Sequence, residues 1–191
     1  MLEYRLCGVR FRLSLLFPAV VIVMLTQDTS GLSMLCLIAS LIHECGHVAA
    51  MLVLHDRPQS ITLGVFGMRI ERRPTERLSY PALCAVSLAG PMVNAVCAVI
   101  LPHDAALVHT VLALFHALPI VSLDGGEALY ALLCCRLSEE RAERVLFWCS
   151  AVVVFPLAAL GFWVLLADGY NFTLLLTAGY LILRMFLHQG H

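Results

Sequence analysis

Six apolar stretches occupy most of this chain: Phe11 to Thr26, Leu32 to Leu54, Tyr80 to Leu101, Ala105 to Leu133, Val145 to Ala167 and Phe172 to Leu187. A helix needs ~20 largely apolar residues to cross a bilayer core, so each stretch is a candidate span. The composition agrees. Of 191 residues 61% are hydrophobic and 13% charged, with mean hydropathy +0.90. Soluble domains are nearer ~45–50% apolar and ~25% charged. So few charges leave too little polar surface to cover a soluble fold. The balance of 12 basic and 13 acidic residues provides no field for nucleic acid. An ordinary soluble enzyme, a disordered protein and a nucleic-acid binder are all excluded. The expected fold is an all-α polytopic membrane protein of about six transmembrane helices.

Charge placement orients these spans. Every cation is an arginine. With six spans, Arg5, Arg10, Arg12, Arg57, Arg69, Arg72, Arg73, Arg77, Arg136, Arg141, Arg144 and Arg184 all fall on one side. The three opposite turns hold Asp28, Asp104 and Asp168 and no arginine. Arginine accumulates on the cytoplasmic side, so both termini are expected there. Ser60 to Arg72 alternates like a strand and carries Gly64 and Gly67. It predicts a short membrane-associated β-hairpin. The sequence shows no repeat or linker, and residues 1–191 read as one integral membrane domain. The eight cysteines form no CxxC pair, and most lie in apolar runs, where they serve as small packing residues.

An ionisable side chain inside a span costs ~2.5 kcal/mol or more, so it demands a reason. The second span contains His43-Glu44-Cys45-Gly46-His47, an H-E-x-x-H pattern. Residues four apart share a helix face, so His43 and His47 can direct their rings at one zinc ion. Glu44, beside that face, is placed to act as general base without ligating the metal. A catalytic zinc normally takes a third protein ligand. The candidates are His103, His109, His116, Asp124 and Glu127.

Depth along ideal helices discriminates among them. The two histidines lie ~10–17 Å from the cytoplasmic end of their span, and Asp124 roughly 14 Å from the same side. His103 and His109 fall too near the opposite face, His116 too deep and Glu127 too shallow. Asp124 is therefore the expected third ligand. Pro119 and Gly125-Gly126 should break the fourth span beside it, and irregular backbone at membrane depth is tolerated where it lines a cavity. In the third span, Asn94 of Gly90-Pro91-Met92-Val93-Asn94 either bonds between helices or grips a substrate backbone.

Together these segments, with Leu118-Pro119-Ile120-Val121-Ser122-Leu123-Asp124-Gly125-Gly126, resemble the site-2 protease family of intramembrane zinc metalloproteases. In plan the chain is similar to the branch typified by the stage IV sporulation protease FB. The resemblance implies a catalytic core of about residues 32–135. It implies one zinc ion on His43, His47 and Asp124, with Glu44 as acid/base and Asn94 near the substrate. It also implies hydrolysis in or near transmembrane segments of single-span or membrane-associated proteins, in a bacterial cell membrane. A sporulation sigma-factor precursor is one such substrate, and a separate membrane protein would act as inhibitor or regulator. His116 stands where many members carry asparagine, and Ser122-Leu123 stands where the sporulation branch has Asn-Pro. A metal transporter or channel using the same His/Asp site is the rival reading, and Glu44 separates the two: a protease needs it, whereas metal binding does not.

Overall fold

The computed structural model describes residues 2–6, 9–56, 58–64, 67–71, 78–168 and 172–188. Among these residues, seven helices and four strands run in the order β1 (Leu2–Leu6), β2 (Val9–Leu13), α1 (Leu16–Gln27), α2 (Leu32–Val53), β3 (Ser60–Gly64), β4 (Gly67–Glu71), α3 (Tyr80–Ile100), α4 (His103–His116), α5 (Asp124–Cys134), α6 (Glu139–Asp168) and α7 (Thr173–His188).

Three of these helices, α2, α3 and α6, are long and apolar enough to cross a membrane. The shorter α1 and α7 are also apolar. Exposed residues of the long helices suit lipid: Val99 of α3 and Trp148, Phe155 and Trp163 of α6 all face outward. α3 is the central helix and packs against α2, α4 and α5. α6 lies against α5 and pairs with α7.

One of the expected spans needs correction. The first apolar stretch does not begin as a helix at Phe11. Val9, Phe11 and Leu13 alternate with Arg10 and Arg12, and period-two alternation is a strand signal. The helix that follows has 12 residues, or ~18 Å at 1.5 Å per residue, shorter than a bilayer core. The fourth stretch is broken beside Asp124, as Pro119 and Gly125-Gly126 lead one to expect. It comprises α4 and α5, separated by the non-helical segment 117–123.

The β-structure also exceeds a single hairpin. β3 and β4 pair antiparallel with Ile61 opposite Ile70. β2 adds to β3 in parallel, Phe11 beside Ile61 and Leu13 beside Leu63, and β1 closes antiparallel on β2. The order is β1-β2-β3-β4. Paired residues share a face, so Phe11 and Leu13 join the buried Ile61. Arg12 lies on the opposite face, 3.9 Å from Glu3 and 3.8 Å from Glu71. Ser60 donates to Glu71 at 2.5 Å. Of the expected hairpin, Val65, Phe66 and Arg72 lie outside the described residues, as do Arg57, Arg73 and Arg77 of the charge argument.

The main apolar core gathers Ile120, Val121 and Leu123 of the segment between α4 and α5 against Leu146 and Val154 of α6 and Leu181 and Met185 of α7. The irregular segment is therefore the part that α6 and α7 clasp.

Candidate metal centre

His43 and His47 leave the same face of α2 and are both buried. Their Nε2 atoms are 3.1 Å apart. Nδ1 of His47 donates to the carbonyl of Val86 on α3, 2.8 Å away. That bond places the ring proton on Nδ1 and leaves a lone pair on Nε2, aimed at the shared point. Backbone of α3 closes the other side. A Cβ on Gly90 would collide with Nε2 of both rings, so only glycine leaves this space open.

Asp124 arrives from the opposite direction. It is the first residue of α5, behind Leu123 in extended conformation, where the N-terminal dipole favours a carboxylate. Its Oδ2 lies 2.9 Å from His43 Nε2, and its Oδ1 3.4 Å from His47 Nε2. His43, His47 and Asp124 thus offer three ligand atoms within 4.8 Å of one another.

The donor set fits zinc. Two nitrogens on a tetrahedral zinc at ~2.0–2.1 Å stand roughly 3.3–3.4 Å apart, close to the 3.1 Å seen here. Two imidazoles and a carboxylate leave a fourth position open, which is the catalytic rather than the structural pattern.

The turn that delivers Asp124 is supported along its length. Pro119 has no N–H to satisfy. The N–H of Ile120 bonds Leu118 O at 2.8 Å and that of Leu123 bonds Ile120 O at 3.0 Å. The N–H of Val121 has no such local carbonyl; it donates to Oγ of the fully buried Ser150 on α6, at 2.8 Å. Ser150 in turn donates to Leu146 O at 2.7 Å. Gly125 and Gly126 permit the return of the chain, since a Cβ would meet the carbonyl of Ala117 at the first and that of Ile120 at the second. Ser122 takes a positive φ of 82°, a strained region for a side-chain-bearing residue. Arg184 of α7 donates to its Oγ at 3.3 Å. A cavity of about 380 Å³ opens beside Asp124, lined by Ser122, Glu127, Tyr130, Glu143 and Arg184 among others.

The remaining candidates fall as follows. Glu44 is half-buried beside the histidines and interacts electrostatically with His47, Asp124 and His116. Glu127 accepts from Ser87 at 3.0 Å and stands apart from the three-ligand group. His103 is exposed next to Asp104.

His116 and His109, both set aside on depth, belong to the site. Nδ1 of His116 lies 2.7 Å from Asp124 Oδ2. An ideal helix would separate the two by ~1.5 Å per residue, but the 117–123 turn brings the chain back. Asn94 is fully buried, with one arm of its amide 3.0 Å from His43 Nδ1 and the other 2.9 Å from His109 Nδ1. Asn94, expected either to bond between helices or to grip a substrate backbone, lies behind His43 and bonds between α2, α3 and α4. Val86 was missed because a backbone acceptor leaves no side-chain signal.

No family model and no curated protein matches this chain. Among solved structures it is similar to the "Site-2 Protease from Methanocaldococcus jannaschii", at 18% identity and a TM-score of 0.65. The match covers 96% of this chain and 93% of that one. The chain therefore has the fold of a site-2 protease.

Proposed function

We propose that this protein is an intramembrane zinc metalloprotease that hydrolyses peptide bonds in or near the transmembrane segments of membrane-associated substrates. The observation that carries the reading is the convergence of His43 Nε2, His47 Nε2 and the Asp124 carboxylate, with Glu44 beside them on a helix apolar enough to span a bilayer. The likeness of fold to the archaeal site-2 protease points the same way.

Zinc held by these three side chains would act as a Lewis acid toward the scissile carbonyl and lower the pKa of the attacking water. Glu44 takes the proton from that water and returns it to the leaving amine. The His47 to Val86 bond fixes one ligand ring, and the N-terminus of α5 steadies the Asp124 charge. Water and substrate both need a route through lipid, and the cavity beside Asp124 supplies polar walls. A substrate helix must unwind before attack, because its peptide groups are tied up in hydrogen bonds. With β3 covered by β2, the edge strands among the described residues are β1 and β4, and an unwound strand can pair at the edge of β4.

On this reading the protein is integral to the membrane. The apolar α7 and the broken α4–α5 pair join α2, α3 and α6 in the bilayer, and α1, too short to cross it alone, enters it with its flanking residues to make up the expected passes, about six in all. The one-sided arginines put both termini in the cytoplasm.

Co-expression with membrane-anchored substrates, a sporulation-type sigma-factor precursor among them, tests the reading. Wild type should yield a cleavage product and Glu44→Gln none. Near-normal cleavage by Glu44→Gln would overturn the role given to Glu44, and a wild type that binds zinc but yields no product would favour a metal carrier instead.

A further inference from the structure

Behind the three ligands, α2, α3 and α4 meet at His43, Asn94 and His109, which are 2%, 0% and 3% exposed. We infer that Asn94 and His109 form a positioning relay that sets the ring of His43 as a metal ligand; the inference rests on the zinc-protease reading above. His43 Nε2 faces Asp124 and His47. For that nitrogen to offer a lone pair to a metal, the ring proton must sit on Nδ1. A proton there needs an acceptor, and the group in place is the amide of Asn94, 3.0 Å away.

An amide's two arms differ only by a half-turn, and the surrounding network decides which arm faces where. The structure places Nδ2 3.0 Å from His43 Nδ1 and Oδ1 2.9 Å from His109 Nδ1; in that arrangement Nδ2 donates to His43 Nδ1, the His43 proton sits on Nε2 and ligation is blocked. A half-turn of the amide exchanges the two arms at the same distances. Oδ1 then accepts from His43 Nδ1, and Nδ2 donates to His109 Nδ1, whose own proton moves to Nε2. The ligating form of His43 therefore requires His109 to accept at Nδ1. Three polar side chains in a dry helix contact are costly unless paired. Each finds its partner here in a single line from α4 to the ligand ring. The same line explains why a histidine sits in α4 although it is not one of the three ligands.

Outer partners of metal-bound histidine typically alter metal affinity by 10–100-fold. The full chain in detergent is assayed for zinc affinity by chelator competition, for the visible spectrum of its cobalt form, and for KM and kcat on an anchored substrate. His109→Leu should weaken zinc binding at least about 10-fold and change the cobalt spectrum, with KM unaltered. His109→Gln, whose side-chain oxygen can accept, should return affinity to within about 3-fold of wild type. If the leucine variant does not give a folded preparation, His109→Phe carries the same expectation, because it keeps a ring but lacks the acceptor. Zinc affinity and cobalt spectrum unchanged in the leucine or phenylalanine variant would overturn the relay. So would Asn94→Leu raising KM with zinc affinity intact, since that would mark Asn94 as a substrate contact. A wild type that binds zinc and cleaves, beside an indistinguishable His109 variant, overturns the relay alone; a wild type that binds no zinc overturns both readings.

Discussion

The two halves of the metal centre are built in opposite ways. The histidine half is regular: two residues four apart on an unbroken α2, locked by the α3 backbone at Val86 and Gly90. The aspartate half is irregular. Asp124 hangs at the end of a seven-residue turn whose backbone is satisfied by a side chain from α6 and whose return depends on two glycines. A regular helix fixes relative positions by its own hydrogen bonds. An irregular turn at membrane depth has to borrow its order from neighbours. Damage to the first half should act locally on metal binding. Damage to the second should act through packing.

The largest expected effect is on the regular half. Gly90→Val places a branched side chain where both Nε2 atoms converge. Zinc content and cleavage should both fall below detection, while α2 and α3 stay folded by circular dichroism. Retained zinc would mean that the ion does not sit between these rings. Next comes Gly126→Ala, which drives a Cβ into the Ile120 carbonyl. A displacement of about 1 Å at a reacting group can cost roughly 100-fold. Cleavage should drop by about that factor with a smaller loss of zinc, since two ligands remain in place.

The contrast between the halves also explains what could be read from residue order. The histidine pair was legible because an i, i+4 spacing is local and survives any tertiary arrangement. The break at Pro119 and Gly125-Gly126 was legible for the same reason. The contact of His116 with Asp124 was not, because depth counting assumes a continuous helix and the turn violates that assumption. The pairing of Asn94 with His109 was likewise hidden, since it depends on how α3 crosses α4. In the sheet, the 60–71 hairpin followed from alternation and glycines. The parallel addition of β2 depends on a pairing across some 50 residues that no local pattern announces, although the alternation from Val9 to Leu13 marks a strand.

Smaller effects sharpen the comparison. Ser150→Ala leaves the Val121 N–H unpartnered in a buried place, at a cost of about 1–3 kcal/mol. Thermal unfolding in detergent should come at lower temperature, with zinc affinity reduced only modestly. An unchanged midpoint would show that the turn does not lean on α6. Asp28→Asn should do least. Asp28 accepts from the Ser30 hydroxyl at 2.6 Å and from the N–H groups of Ser30 and Ser33 ahead of α2. These bonds, the Ser30 hydroxyl foremost, hold its pKa down to about 2. The group therefore stabilises the fold above the ordinary carboxylate range, and that contribution is lost as pH falls through about 2. The difference in midpoint between wild type and Asp28→Asn should be small and constant from pH 5 to 8 and shrink only in acid, as parallel melts at each pH would show.

Metal analysis of the purified chain bears most directly on the centre itself. Wild type is expected to hold about one zinc per chain, with the fourth position left open, and His43→Ala/His47→Ala to hold almost none after the same dialysis. Stoichiometric zinc in the double variant would contradict the site.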